Sequence, residues 1–275
     1  MIKISLITPS LNKAPFLEAC LRSVLDQAYP ALDYGVVDGG SADGSLKIFE
    51  RYRDSLAFCI SEPDQGMYDA LVKGFARTTG EIMGYIGADD LHLPWALSVV
   101  AEIFERFPDV SWITSLYPVT ADAQGRVLRS RTLPLPSANS FWRGGNLPGF
   151  SWWSAGWIQQ ESTFWRRSLW DKVGGIDPTL KLAGDFDLWC RFMKVTEPVG
   201  VATPLAAFRR HGNQITGSNG TAYREEALNA LLRWGGKPDG RLASRMRESG
   251  RRLGLCQKKD FICYDFSVGD WRRSA

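Results

Sequence analysis

The apolar positions of the first 115 residues alternate between two rhythms. Short continuous runs, "IKISLIT" ending at Thr8, "DYGVVDGG", "LAFCISE", "EIMGYIG" and "VSWITSLY", read as buried strands. Between them apolar residues recur at helical spacing. "APFLEACLRSVLDQ" puts Leu17, Leu21, Val24 and Leu25 on one face, with Pro15 suited to a first turn. "SADGSLKIFERYRD", "QGMYDALVKGFARTTG" (closed by Gly80) and "LPWALSVVAEIFERF" continue the helical rhythm. Strands alternating with single helices predict an α/β fold, a parallel sheet with helices on both faces. Ligands of such sheets bind beyond the carboxyl ends of the strands. Thr8-Pro9-Ser10, Asp38-Gly39-Gly40, Glu62-Pro63-Asp64 and Gly87-Ala88-Asp89-Asp90 each follow a strand directly, so they are expected to gather on one edge.

The second half is less regular. "VTADAQGRVLRS" reads as a hairpin turning at Gly125, and "LPLPSANSFWRGGNLPGFSWWSAGW" as a long loop. "QQESTFWRRSLWDKVGG" and "LAGDFDLWCRFMKV" read as a strand or turn leading into helix, and "LAAFRRHGNQIT" as a last strand. From about Tyr223 the pattern turns helical and basic.

Composition narrows the function classes. A net charge of +3 argues against a dedicated nucleic-acid binder. The positive excess lies late: from Ala222 onward there are 12 Lys and Arg against 7 Asp and Glu. The five cysteines, Cys20, Cys59, Cys190, Cys256 and Cys263, are scattered and show neither zinc nor redox spacing, which suits a reducing cytosol. The first three stand in apolar contexts, as small buried hydrophobes do. "MIKISLITPS" is too short and polar for a signal peptide, and no apolar run approaches the ~20 residues that cross a bilayer. The expected location is cytoplasmic, with docking on a membrane left open.

Adjacent carboxylates straight after a buried strand need a reason. Asp89 and Asp90 can hold a hard divalent cation whose shell substrate phosphates complete. Taken alone, the pair fits equally well a solvated loop with an aspartate cap for the helix starting near Pro94. Asp38, with two glycines behind it, suits a ribose or base contact, or else a turn with Asp43 capping the next helix. Neither G-x-G-x-x-G nor a Walker A loop is present. Asp64, before a helix, is a further ligand candidate, whereas Tyr68, Lys73 and His92 read as surface residues. Trp142, Trp152, Trp153, Trp157 and Trp165 crowd one segment, where flat rings suit sugar faces or fill a core.

"TPSLNKAPFLEACLRSVLDQAYP", "VVDGGSADGS", "SEPDQGMYDALVKGFARTTGEIMGYIGADD" and "QQESTFWRRSLWDKVGGIDPTLKLAGDFDLWCRF" resemble family 2 glycosyltransferases, inverting enzymes of the GT-A fold. The likeness runs from residue 2 to about residue 216. It implies a GT-A domain over 1–220, a Rossmann-like, mostly parallel sheet flanked by helices. Residues 1–115 would bind the nucleotide-sugar, residues 116–220 would hold the acceptor and the catalytic base, and 221–275 would form a basic helical extension. Carried over by position, Thr8, Pro9 and Ser10 form the first nucleotide-contacting turn. Asp38, with Gly39 behind it, reads the uracil or ribose, and Asp64 flanks the base. Asp89 and Asp90 match the family's acidic motif, usually D-x-D, with Gly87 in its first acidic place. Asp90 is assigned to the metal, and Asp89 to ribose, metal or both. Asp185 takes the place of the catalytic base, with Gly184 where many relatives carry Glu. Asp187 is its near rival, but residues two apart on a helix face different ways. His211 stands where several relatives place a metal-ligating histidine.

The implied activity is metal-dependent, inverting transfer from a nucleotide-sugar, with UDP the first expectation and Mn²⁺ or Mg²⁺ the cofactor. The acceptor would be a glycan or lipid-linked hydroxyl in surface polysaccharide synthesis. Gln160, Glu161 and Trp157 are the acceptor-side candidates. Arg241, Arg245, Arg247, Arg251 and Arg252 would lie on an anionic membrane or form an ordinary solvated helix. Two other readings compete. A sugar-phosphate nucleotidyltransferase usually opens with a glycine-rich basic loop, and "TPSLNKAP" has no glycine there. A non-catalytic sugar- or nucleotide-binding relative would not need both metal acids and base.

Overall fold

The structure, a computed structural model, describes residues 1–147, 157–212, 214, 220–240, 243, 246 and 260–274. Along the chain run β1 (Ile4–Ser10), α1 (Ala14–Leu25), β2 (Leu32–Asp38), α2 (Ser45–Tyr52), β3 (Phe58–Ser61), α3 (Met67–Phe75), β4 (Ile82–Tyr85), β5 (Leu91–His92) and α4 (Ala96–Arg106). Then come β6 (Trp112–Ser115), β7 (Val119–Ala121), β8 (Val127–Ser130), α5 (Ala138–Trp142), a 3-10 turn (Gln160–Ser162), β9 (Thr163–Arg166), α6 (Arg167–Val173) and α7 (Gly184–Val195). β10 (Val199–Val201), β11 (Ala206–Arg209), α8 (Gly220–Arg233), β12 (Phe261–Asp265) and β13 (Asp270–Ser274) follow.

Nine strands form one sheet in the order β13-β12-β10-β6-β9-β4-β1-β2-β3. All neighbours pair in parallel except at β9, antiparallel to both β4 and β6, and at β13. This is the mostly parallel sheet that the alternating pattern predicts. Every residue of β1 is buried, because helices cover both faces, and so the strand reads as an uninterrupted apolar run. One core, under α1, α2 and α4, includes Leu17, Val24, Phe49 and Phe104. The other, under α3, α6, α7 and α8, is aromatic: the Trp112 and Trp189 rings stack at 5.4 Å, and Trp165 meets Trp189 edge-on at 5.7 Å. Trp165 is therefore core, while Trp152 and Trp153 lie outside the described residues.

A second sheet, β5-β11-β7-β8, holds the predicted hairpin, with Gly125 at positive φ in its turn. It also sets β5, which begins just after Asp90, antiparallel to β11, pairing Ala206 with His92.

The expected helical extension is met only in part. α8 begins it, packed on α7 through Ala227, Ala230 and Leu231. Residues 260–274, however, form a hairpin whose first strand extends the large sheet beside β10. Ile262 and Trp271 bury themselves in the first core, which outweighs the basic composition that suggested a surface helix. The five arginines assigned to a membrane contact lie outside the described residues.

Candidate active site

In-register pairing brings the strand ends together. Ser10 stands opposite Asp38 and Asp38 opposite Ser61, and Ile7 opposite Tyr85. The four polar turns that follow these strands therefore share one rim, as expected.

On the β1–β2–β3 side, Asp38 is fully buried. Its carboxylate accepts from Ser41 N (2.8 Å), Ser41 Oγ (2.5 Å), Ser61 Oγ (2.8 Å) and Gly40 N (3.2 Å). So engaged, it shapes the turn that a ligand would meet. Gly39 lets Asp64 approach closely, since a Cβ there would stand 2.8 Å from Asp64 Oδ2. Gly66 N holds the other Asp64 oxygen at 2.8 Å. The Thr8 hydroxyl bonds Tyr34 Oη (2.8 Å) and faces the core, whereas Ser10 Oγ is buried with no partner among the described residues.

At the end of β4, the acidic pair is built from opposite environments. Asp89 Oδ2 accepts from Lys13 Nζ at 2.5 Å and lies 3.0 Å from His211 Nε2. Burial works to raise the Asp89 carboxyl, but Lys13 and His211 hold it below the usual range. Asp90 is 5% exposed and accepts from Arg209 N at 2.9 Å, with no ion-pair partner among the described residues. Burial first, then the charges of Glu161 and Asp89, push its carboxyl well above the usual range. The Arg209 guanidinium holds the turn by donating to the Asp89 carbonyl at 2.6 Å. No described residue donates to Asp89 Oδ1 or Asp90 Oδ2. Both lie 3.1 Å from where a Gly87 Cβ would stand, so the glycine keeps the space between them open. Two hard oxygens around such a gap fit Mg²⁺ or Mn²⁺. Among the described residues no three His, Cys, Asp or Glu side chains converge on one metal point. A cation here would therefore draw further oxygens from its substrate.

The third acid opens α7. Asp185 accepts from Phe186 N at 2.8 Å, and Tyr223 Oη of α8 stands 3.1 and 3.2 Å from its two oxygens. Tyr68 Oη of α3 is 3.4 Å away and also donates to the Leu182 carbonyl (2.7 Å). Burial raises Asp185 to about 6, against the pull of these hydrogen bonds. Asp187 is differently placed: 1% exposed, it pairs with Arg191 at 2.9 Å and accepts from Trp234 Nε1 at 2.8 Å. Asp187 is thus held in a structural ion pair.

Glu161 joins the groups. It is 3% exposed, its Oε1 has no partner among the described residues, and it is raised to about 7 by burial first, with the charges of Asp185 and Asp89 adding to it. The Gln160 amide fits best with its nitrogen toward the Tyr85 carbonyl (3.3 Å). Trp157 is 52% exposed, edge-on to Phe208 at 6.3 Å.

A family model, glycosyl transferase family 2, matches residues 5–174, well over half of the chain. The chain belongs to this family.

An uncharacterized glycosyltransferase of Mycobacterium tuberculosis strain H37Rv is 29% identical over 212 residues, 76% of each chain. A PGL/p-HBAD biosynthesis glycosyltransferase of the same strain is 38% identical over 89 residues, 31% of this chain and 35% of its own. Among solved structures, S. aureus TarS 1-349 in complex with UDP-GlcNAc superposes with a TM-score of 0.65 at 16% identity, covering 92% of this chain and 72% of its own. The mannosyltransferase PcManGT from Pyrobaculum calidifontis, in complex with GDP-Man and Mn²⁺, gives 0.56 at 17% identity, covering 93% and 81%. The fold of this glycosyltransferase is thus GT-A.

The structure also corrects two sequence readings in this glycosyltransferase. His92 is buried, lowered to about 4 by burial, with Nε2 3.2 Å from the Glu161 carbonyl. Tyr68 is 1% exposed and sits at the base candidate. Lys73, by contrast, lies at the surface as read, paired with Glu62 and Asp69. Gly184, where relatives carry Glu, lies under the Tyr68 ring, 2.7 Å from where its Cβ would be. Lys13, Arg209, Tyr223 and Glu226 were missed. Lys13 had a signal, following directly on the first polar turn; the others lie too far along the chain from their partners.

Proposed function

We propose that this glycosyltransferase moves a sugar from a nucleotide-sugar, a UDP-sugar foremost, to a hydroxyl of a glycan or lipid-linked acceptor in surface polysaccharide synthesis. The transfer inverts the anomeric carbon and uses a divalent cation, Mn²⁺ or Mg²⁺. What supports this most is one juxtaposition: Asp185 and Asp89 both bear electrostatically on buried Glu161, and Glu161 on Asp90, so base candidate and cation candidate stand near one buried acid. The TarS and PcManGT complexes, with UDP-GlcNAc and with GDP-Man and Mn²⁺, support the ligand classes.

In this reading Asp89 and Asp90 hold the cation, with His211 beside them. A bound divalent ion supplies Lewis-acid stabilisation to the departing diphosphate. The turns at Pro9–Ser10, Asp38–Gly39 and Asp64 seat the nucleotide. Asp185 accepts the proton of the acceptor hydroxyl as that oxygen attacks the anomeric carbon from the face opposite the diphosphate. The oxygen–carbon bond forms as the carbon–phosphate-oxygen bond breaks, so a single displacement inverts the centre. The oxocarbenium character of that state sits well in a hollow lined by carboxylates. Gln160, Glu161 and Trp157 flank the acceptor. We place the protein in the cytoplasm, with its basic C-terminal stretch on the inner face of the membrane. No helix among the described residues is long and apolar enough to cross one.

A thermal-shift panel of sugar nucleotides, with and without Mn²⁺, followed by donor hydrolysis and transfer assays, tests the proposal. UDP-sugars are expected to raise the melting temperature more with Mn²⁺ present. A panel in which no nucleotide shifts the transition and no donor is consumed would overturn it.

A further inference from the structure

Helix α8 lies wholly beyond residues 5–174, yet it reaches the base candidate twice. Tyr223 Oη stands 3.1 and 3.2 Å from the two Asp185 oxygens. One turn later, Glu226 accepts from Lys181 N (3.0 Å), Leu182 N (2.6 Å) and Ala183 N. Those amides form the approach to α7, whose second residue is Asp185. Residues three apart on a helix lie on one face, so a single surface of α8 grips both the carboxylate and the backbone that presents it. The α7 N-terminus has no side-chain cap of its own. Glu226 does that work from outside, as an acceptor matched to unsatisfied N–H groups near a helix start.

We propose that Tyr223 and Glu226 are positioning residues for the transfer reaction: Glu226 fixes the turn entering α7, and Tyr223 fixes the Asp185 carboxylate and favours its ionised form. This rests on the reading of Asp185 as the base. Among the described residues, the groups facing Asp185 are Tyr223 from α8, Tyr68 from α3, Tyr85 from β4 and Glu161 from the 3-10 turn. The acid opposes ionisation, and of these groups Tyr223 makes the closest hydrogen bonds to the carboxylate. A hydroxyl donating to a carboxylate stabilises the charged state. Burial alone would carry Asp185 higher than its value of about 6. Without Tyr223, more of the protein would hold the base already protonated near neutral pH.

Two measurements on the full chain test this without any sugar. In the first, aspartate carboxyl carbons are labelled with ¹³C and titrated by NMR, the Asp185 signal being the one missing from D185N. Tyr223→Phe keeps the ring, and its Asp185 midpoint is expected to rise by about half a pH unit or more. An unmoved midpoint overturns the Tyr223 role. In the second, amide exchange at Lys181, Leu182 and Ala183 is expected to quicken about tenfold or more in Glu226→Ala, with exchange in β1 and β2 unchanged. Unchanged protection at those amides overturns the Glu226 role. Once a donor and acceptor turn over, Y223F is expected to move the acid limb of kcat upward in pH, with the donor KM unchanged. Failure to find any transfer would strike the proposed function while leaving the titration and exchange results standing. A still midpoint in an active enzyme would strike only the clamp.

Discussion

A carboxylate is expensive to bury, and Asp185, the proposed base, shows it. Its value of about 6 means the native state binds this proton more tightly than the unfolded chain, where an aspartate titrates near its usual value of 3.8. Stability therefore falls as pH rises from about 4 to 6, and the full cost, on the order of 1–3 kcal/mol, stands above that window. Asp185→Asn is expected to raise the melting temperature at pH 8 and to give no such gain near pH 4, as read by calorimetry. The same variant should lose transfer by about 10²–10⁴-fold with nucleotide affinity unchanged. In the wild type, the rate should decline as pH drops below about 6. Asp90→Ala is expected to abolish the Mn²⁺-dependent part of UDP affinity in a calorimetric titration; an affinity that kept its Mn²⁺ dependence would remove Asp90 from the cation.

At the scale of elements, close approach decides more than propensity. The α-hydrogen face of Gly87 looks onto the gap between Asp89 and Asp90, so Gly87→Ala should weaken Mn²⁺-dependent UDP binding about tenfold or more while moving the melting temperature by only a few degrees. Trp271 of β13 is 6% exposed, packs into the first core and donates to Glu102 at 2.7 Å. Trp271→Ala should cost about 3–5 kcal/mol in denaturant unfolding. The elements of the first half could be read from the chain because buried parallel strands and amphipathic helices write opposite rhythms. The β12–β13 hairpin could not, because its few buried positions are set among arginines and aspartates. Most acids of the candidate site were visible too: Asp38 ends a strand and Asp64, Asp89 and Asp90 stand just after one, whereas Asp185 opens a helix. Their counterparts were not: Lys13 is 76 residues from Asp89, Arg209 is 119 from Asp90, and Tyr223 is 38 from Asp185. No local pattern announces a pairing at such separations.

For the molecule as a whole, strand order matters more than strand count. The group β3-β2-β1-β4 and the group β6-β10-β12-β13 touch within the large sheet only through β9, which runs against both. β9 follows without a break from the turn that carries Glu161. One four-residue strand therefore closes the seam between the two groups, and its pairings, distant in sequence, are of the kind that slows folding. The strand that seals this seam also sets Glu161 in place. A change that unpaired β9 would at once bare two strand edges to neighbouring molecules and displace Glu161.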